Sequence, residues 1–360
     1  MSVDVTILSV SWNCREILDA CLQSIEDMPD AVTREVIIVD NGSSDGTPEF
    51  LRRARPGVRV VALPRNYGFG AANNVGFGLA TGDYVLVLNP DTRVLPGMLT
   101  TMVDVLRADP TIGCVGAKHY NPDMSLQWSM DDFPSLLNES IHYCDLYRLP
   151  FLRGWLTRKY PRWSDHDEER DVSWVNGACM MVPREVYSAT RGFDDYFFLF
   201  GEELDWCLRI WRAGWRVRFL PTAGVVHALG GTFDPRDWRR LVMLYQGSLR
   251  YYRRHLSLGS RAGLHAVIRV NALVRLMILL AVSSAEAVAR RPVVPERFRR
   301  AAVQHEHPLP LGTALRMWWA ILTLRTDTEF RPMTPSRVID EHRSGGDEHR
   351  SGGNAASVSD

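Results

Sequence analysis

Apolar, β-branched runs recur along the first 230 or so residues and alternate with stretches of helical spacing. Val5–Val10 (VTILSV) is largely apolar and β-branched, as a strand buried on both faces is, and Cys14–Ile25 places its apolar residues at helical intervals. Glu35–Asp40 (EVIIVD) repeats the strand pattern and leads into the turn-rich Asn41–Thr47 and a short helix from Pro48. Val58–Leu63 is a third strand, and Tyr84–Leu88 (YVLVL) a further one that runs into Asn89-Pro90-Asp91-Thr92. Beyond it the pattern predicts a helix at Thr100–Arg107 and strands at Gly113–Ala117, Asp171–Val182 and Val217–Leu220, the last followed by Gly224–His227. Alternation of this kind predicts an α/β fold around a mostly parallel, Rossmann-like sheet, whose ligands bind at the carboxyl ends of the strands. Asp40 and Asp91 stand at two such ends. Asn121–Asp171 has no clear period and mixes aromatics with both charges, so it reads as a long loop or lid.

One stretch carries unusual chemistry. Gly192–Arg209 reads GFDDYFFLFGEELDWCLR, in which an aromatic run and a glycine precede Glu202, Glu203 and Asp205 at the start of an amphipathic helix. Acids in a first helical turn favour the macrodipole, but acids beside aromatics must be paired, hydrogen-bonded or protonated. Arg65–Gly76 (RNYGFGAANNVG) alternates small residues and amides ahead of a helix, which lets backbone N–H groups approach a ligand, although the spacing is neither that of a P-loop nor of a dinucleotide fingerprint. Asp91, just past a central strand, suits a divalent metal; Asn-Pro-Asp is equally good turn chemistry.

Composition changes the picture in two places. The six cysteines show no Cys-x-x-Cys or Cys/His spacing, so neither a zinc site nor a disulfide framework is expected, and no signal segment precedes the first strand, so a cytosolic protein is expected. The net charge is zero, yet residues 236–300 hold fourteen arginines against three acids. Leu241–His255 and Ala262–Ala289 read as helices there, the second interrupted by His265, Arg269, Asn271 and Arg275; its longest uncharged run, Leu276–Ala285, has ten residues, short of the ~20 that span a bilayer. An apolar, basic helix of this kind lies in the interface of an anionic membrane, or packs on the catalytic domain or in a homodimer. Leu315–Leu324, with Trp318 and Trp319, is a second such piece. The tail from Asp340, with its repeated DEHRSGG, is expected to be disordered.

Taken together, VTILSVSWN, VDNGSSDGT, RNYGFGAANNVG, LNPDT, GFDDYFFLFGEELDWCLR and Val226-His227 resemble the inverting family 2 glycosyltransferases of the GT-A fold, especially bacterial rhamnosyltransferase-like members. The resemblance spans about residues 3 to 235. It implies a glycosyltransferase domain over 1–235, while the charge and hydropathy pattern beyond it predicts a helical, membrane-associating region over 236–330 and a disordered tail over 331–360. It further implies an enzyme of cell-surface polysaccharide synthesis, peripheral at the inner face of the cell membrane. The reaction moves a sugar, rhamnose from dTDP-rhamnose as the best match and a UDP donor as the other option, to a glycan or polyprenyl diphosphate-linked acceptor; no nucleic acid is involved.

The resemblance also implies roles for single residues. Asp40 takes the N–H of the base, with Ser11, Asn41 and Asp45 lining the nucleotide pocket. Arg65, Asn66, Gly70 and Asn73 close on ribose and diphosphate, and Asn89 stands where the family has its first metal-site acid. Asp91 and His227 hold Mn2+ or Mg2+. Glu203 occupies the place of the usual Asp base, with Glu202 and Asp205 as neighbouring acids either of which could serve instead. Trp174, Gly177 and Trp206 face the acceptor, and Arg209 is a structural ion-pair partner. Because Asn89 and Glu203 depart from the family's acids, a nucleotide-sugar-binding or assembly protein with impaired turnover is the competing expectation.

Overall fold

The computed structural model describes residues 3–29, 32–164, 166–228, 237–289 and 309–324. In chain order its elements are β1 (Val5–Ser11), α1 (Arg15–Glu26), β2 (Arg34–Asp40), α2 (Thr47–Ala54), β3 (Val58–Ala62), α3 (Phe69–Leu79), β4 (Tyr84–Leu88), β5 (Thr92–Val94), α4 (Met98–Ala108), β6 (Ile112–Tyr120), β7 (Leu126–Gln127) and β8 (Met130–Asp131). There follow α5 (Leu136–Tyr143), α6 (Pro150–Lys159), β9 (Arg170–Asp171), β10 (Trp174–Val175), β11 (Cys179–Pro183), α7 (Arg184–Thr190), α8 (Glu202–Arg212) and β12 (Arg216–His227). Three helices complete the described chain: α9 (Arg239–His255), α10 (Leu258–Ala289) and α11 (Leu311–Leu322).

The main sheet runs β3-β2-β1-β4-β11-β6-β12-β5. β1 to β4 are mutually parallel where they pair, β11 is antiparallel to both neighbours, and β12 is parallel to β6. The expected mixed, mostly parallel sheet is therefore present. Its two faces follow from the alternation of strand side chains. Leu8, Val10, Ile37, Val39, Val85 and Val87 point to one core with Val75, Phe77, Trp206 and Tyr245. Ile7, Ile38, Leu86 and Leu88 point to the other, with Leu18, Leu22, Leu99 and Met102. Both faces are covered, which is why these strands read as continuous apolar runs.

Four expectations change. The predicted strand Asp171–Val182 is broken into β9, β10 and β11, because Asn176-Gly177 turns the chain: Asn176 Oδ1 accepts the Ala178 N–H at 2.9 Å. The predicted strand Val217–Leu220 is longer, running as β12 on through Gly224–His227, with an irregularity between Leu220 and Gly224 that absorbs Pro221. Asn121–Asp171 is not an open loop: it carries α5 and α6, and Leu156 of α6 and Tyr160 just beyond it are buried with Ile141 of α5. Finally, α10 is 32 residues long, and its stretch Leu258–Ser284 is long and apolar enough by length and composition to cross a membrane, with mean hydropathy 1.9. Counting only the uncharged run understated it, because Arg275 is turned inward, where it ion-pairs with Asp145 and donates to Asn271 Oδ1 at 3.2 Å. The tail from Asp340 lies outside the described residues.

Candidate active site

Asp40 ends β2 and is 1% exposed. Its Oδ1 accepts from Ser11 Oγ at 3.0 Å and from Ser43 Oγ at 2.6 Å, while Oδ2 accepts the Ser43 N–H at 2.9 Å. Oδ1 has used both lone pairs and Oδ2 keeps one, so one further donor can be accepted. Ser43 was not singled out from the sequence, although the Asn41–Thr47 turn contained it.

The loop that follows β3 is fixed to this strand end. Asn41 Nδ2 donates to Asn66 Oδ1 at 3.0 Å and to the Gly68 carbonyl at 3.1 Å, and Asn41 Oδ1 accepts the Tyr67 N–H at 2.9 Å. Arg65 is exposed and lies 4.9 Å over the Tyr67 ring. Gly68 has φ +88°, and a Cβ there would collide with the Phe198 carbonyl, to which the Phe69 N–H donates at 2.9 Å. Only glycine permits that approach. The nucleotide-side loop thus touches the acid-rich stretch directly, and Gly70 lies against Phe193 and Glu202.

Two expected nucleotide residues serve the fold. Asp45 accepts from Thr47 Oγ1 at 2.6 Å, from the Thr47 N–H at 3.1 Å and from the Arg15 N–H at 3.3 Å, so it ties the starts of α1 and α2 together. Burial pushes its pKa up, but these hydrogen bonds outweigh that and leave it below the usual carboxylate value. Asn73 is fully buried inside α3 and donates to the Phe69 carbonyl at 3.0 Å, too deep to reach a ligand.

At the end of β4 the Asn89 N–H donates to the Ala178 carbonyl at 2.9 Å, which joins this strand end to the Gly177 turn. Asn89 Nδ2 lies 3.4 Å from His227 Nε2, and Asp91 Oδ1 lies 3.2 Å from the same nitrogen. Asn89 therefore belongs with Asp91 and His227. The tautomer of His227 follows from its other side. Gln127 Nε2 donates to the His227 carbonyl and to Asn121 Oδ1, both at 2.9 Å, so the atom 2.7 Å from His227 Nδ1 is the carbonyl oxygen Oε1. Nδ1 carries the proton, and in the neutral imidazole Nε2 presents its lone pair beside the Asp91 carboxylate. Two buried bases aimed at one point suit a divalent cation, and Gln127 orients the histidine as outer partners of metal-bound histidines do. Among the described residues no group of three or more His, Cys, Asp or Glu converges, so a cation here would need its other ligands from phosphate and water. Gln127 lies in the patternless segment, where no sequence signal marked it.

The three acids of α8 separate. Asp205 is fully buried; Oδ2 pairs with Arg209 Nε at 2.7 Å and Oδ1 with His255 Nε2 at 2.6 Å. Burial raises its pKa, yet the His255 and Arg209 bonds prevail and hold it low. Asp205 is thus a tie between α8 and α9, not a catalytic acid. Arg209 also donates to the carbonyls of Thr190 and Gly192, the structural part expected of it. Trp206 faces the core, where its Nε1–H donates to Thr190 Oγ1 at 2.7 Å and its ring packs edge-on against Phe77 and Phe193; it cannot stack on an acceptor. Trp174 is buried edge-on against Trp128, its N–H spent on the Asp132 carbonyl at 3.0 Å.

Glu202 and Glu203 remain. Glu202 is 2% exposed and its Oε2 has no hydrogen-bond partner among the described residues. Burial first, and Glu203 second, push its pKa well above the carboxylate range. Arg250 of α9, itself buried, is the nearby positive charge; nothing in the α9 sequence pattern announced it. Glu203 is half-buried beside Gly177, and burial raises its pKa too. Two adjacent carboxylates do not both ionise easily. The deeper Glu202 keeps the proton, and the more open Glu203 is a carboxylate of raised basicity, a suitable proton acceptor.

Known proteins resemble this chain over both halves. The family model for glycosyl transferase family 2 matches residues 6–187, and that for glycosyl transferase family group 2 matches 167–324. The N-acetylglucosaminyl-diphospho-decaprenol L-rhamnosyltransferase of Mycobacterium tuberculosis is 32% identical over 204 residues, which are 53% of this chain and 66% of that protein. Rhamnosyltransferase WbbL of Escherichia coli K12 is 27% identical over 169 residues, 45% of this chain and 61% of that one. The chain thus spans about two thirds, or slightly less, of these curated relatives. Among solved structures, the mannosyltransferase PcManGT of Pyrobaculum calidifontis, in complex with GDP-Man and Mn2+, superposes with a TM-score of 0.52 at 18% identity over 89% of this chain and 86% of its own. That likeness shows the GT-A fold, and the family models, the first of which alone takes in half of the sequence, show that the chain belongs to glycosyl transferase family 2.

Proposed function

We propose that the protein transfers a sugar, with inversion, from a nucleoside diphosphate donor to a lipid-linked glycan; two of its relatives are rhamnosyltransferases by name, and we take dTDP-rhamnose as the donor. The observation that carries this is the gathering of Asp40, the Asn89–Asp91–His227 group and Glu203 along one edge of the sheet, joined by the Asn66–Gly68 and Gly177 contacts. In this reading Asp40 Oδ2 accepts the ring N–H of thymine or uracil, which selects a pyrimidine with that donor. The rigid Asn66–Gly68 loop lies over ribose and diphosphate. A divalent cation, Mn2+ or Mg2+, would be held by Asp91 and His227 and would offset the charge of the departing diphosphate. Glu203 takes the proton from the acceptor hydroxyl as that oxygen bonds to the anomeric carbon and the bond to the diphosphate breaks. Glu202, neutral, gives Glu203 no like charge to compete with. Single displacement of this kind inverts the anomeric centre.

The domain division follows the same logic: residues 1–235 perform the transfer, and the helices beyond hold the enzyme at the inner face of the cell membrane, where a polyprenyl diphosphate acceptor resides. The apolar, outward residues of α10 support this placement. A thermal-shift screen of dTDP-, UDP-, CDP- and GDP-linked sugars with and without Mn2+ tests the donor assignment. Stabilisation by dTDP-rhamnose above that by the others is the expected result; preference for a CDP sugar, whose base has no ring N–H, refutes the role given to Asp40, and preference for a GDP sugar refutes the donor assignment.

A further inference from the structure

Away from the active site, apolar side chains are turned outward on three helices. On α6, Leu156 is buried with Ile141 and with Tyr160 at the helix end, but Phe151 is 78% exposed and Trp155, one turn on, is 38% exposed. On α10, Leu264, Ile268, Ala272 and Leu279 are buried, while Val270, Leu273 and Met277 are exposed. Trp319 of α11 is 62% exposed. This reverses the arrangement of a water-facing helix. The helices are linked, because Arg275 of α10 ion-pairs with Asp145 in the turn between α5 and α6.

Charge identifies what covers them. Residues 146–159, 258–284 and 309–324 together hold eight Lys or Arg and no Asp or Glu; one of the eight, Arg275, is turned inward to Asp145, which also pairs with Arg148. We propose that α6 and the outward sides of α10 and α11 dock together on an anionic lipid bilayer, which makes the segment between β6 and β9 a second membrane contact in addition to the C-terminal helices. Phe151 and Trp155 enter the boundary between headgroups and acyl chains, and the cations near them, Arg148, Arg158 and Lys159, extend to lipid phosphates. A second copy of the chain fits this face poorly, since a two-fold contact opposes cations to cations with no acid between them.

Flotation of the full chain with vesicles tests the proposal. Wild type is expected to float with phosphatidylglycerol-containing vesicles and at least tenfold less with pure phosphatidylcholine. Phe151→Glu/Trp155→Glu is expected to lower the bound fraction at limiting lipid at least fivefold although α10 is intact, with unchanged melting and unchanged dTDP-rhamnose binding in solution. Phe151→Cys in a Cys144→Ser background, labelled with an environment-sensitive dye, gives a second reading: a blue shift quenched by nitroxide lipids is expected. Wild-type flotation of the double variant, equal binding to neutral vesicles, or a dye at position 151 that stays in water each overturn it. So does a lipid-free dimer that Phe151→Glu/Trp155→Glu dissociates, because the face is then occupied by a second copy.

Discussion

Replacing Glu203 by Gln removes one proton-accepting oxygen and almost nothing else. The side chain keeps its length, its Cβ keeps the contact with Gly177, and α8 keeps its Gly201 start. Donor binding, which rests on Asp40 and the Asn66–Gly68 loop, is expected to be unchanged. A positioned general base contributes about 10²–10⁴ in rate, equivalent to roughly 3–5 kcal/mol of barrier, and kcat is predicted to fall in that range. Glu202→Gln is the matched control: Glu202 is already neutral, so kcat is predicted to stay within about threefold of wild type. Release of nucleoside diphosphate, followed with saturating donor and acceptor, gives kcat, and calorimetric titration of donor gives affinity. The pH profile is a further reading. Glu203 must be ionised to act, and burial raises its pKa, so the acid limb of kcat should lie above the ordinary carboxylate range and vanish in the Gln variant. If Glu203→Gln retains more than about a tenth of the rate, or Glu202→Gln loses more than Glu203→Gln, the assignment of the base is wrong.

Three other outcomes are expected. Gln127→Ala frees His227 Nδ1 from its acceptor, and Mn2+ affinity in the presence of dTDP, read by electron paramagnetic resonance, should weaken by about 10–100-fold; unchanged affinity removes His227 from the metal site. Asp205→Asn leaves Arg209 and His255 without their carboxylate and should cost about 3–5 kcal/mol in denaturant unfolding. Because the Asp205 pKa is depressed in the fold, that stabilisation is present above the unfolded carboxylate pKa and is lost as pH falls through the folded one, so the difference between variant and wild type should shrink in acid. Gly68→Ala demands a positive φ from a residue with a Cβ that meets the Phe198 carbonyl, and donor affinity should fall together with a stability loss of about 1–3 kcal/mol, measured by calorimetry and melting; a variant with wild-type values in both shows that the loop can move aside.

Legibility in the sequence followed the range of the interactions. β1, β2 and β4 announced themselves because both faces are buried along their central residues, which are therefore mostly apolar. Asp40 and Asp91 were recognisable because they terminate such runs. The Arg209–Asp205 pair spans four residues and was half visible, but His255 lies fifty residues further on, and only the packing of α9 on α8 brings it to Asp205 and takes that acid out of the chemistry. Trp206 and Glu203 are three residues apart on one helix, and the helical pattern alone did not say which side faced the core. The segment 121–171 hid most. Its short helices are held by aromatic contacts and by Arg162 against Asp131, tertiary interactions without a period, and it concealed both Gln127 and the outward α6.

The central claim, sugar transfer at the Asp40, Asp91 and Glu203 edge, is tested most directly by incubating the purified chain with dTDP-rhamnose, Mn2+ and a polyprenyl diphosphate-linked N-acetylglucosamine acceptor, and by determining the product linkage by nuclear magnetic resonance. The predicted result is stoichiometric release of dTDP and a disaccharide whose new glycosidic bond has the anomeric configuration opposite to that of the donor. Retention of configuration, or tight donor binding with no transfer from any nucleotide sugar to any lipid-linked acceptor, contradicts it.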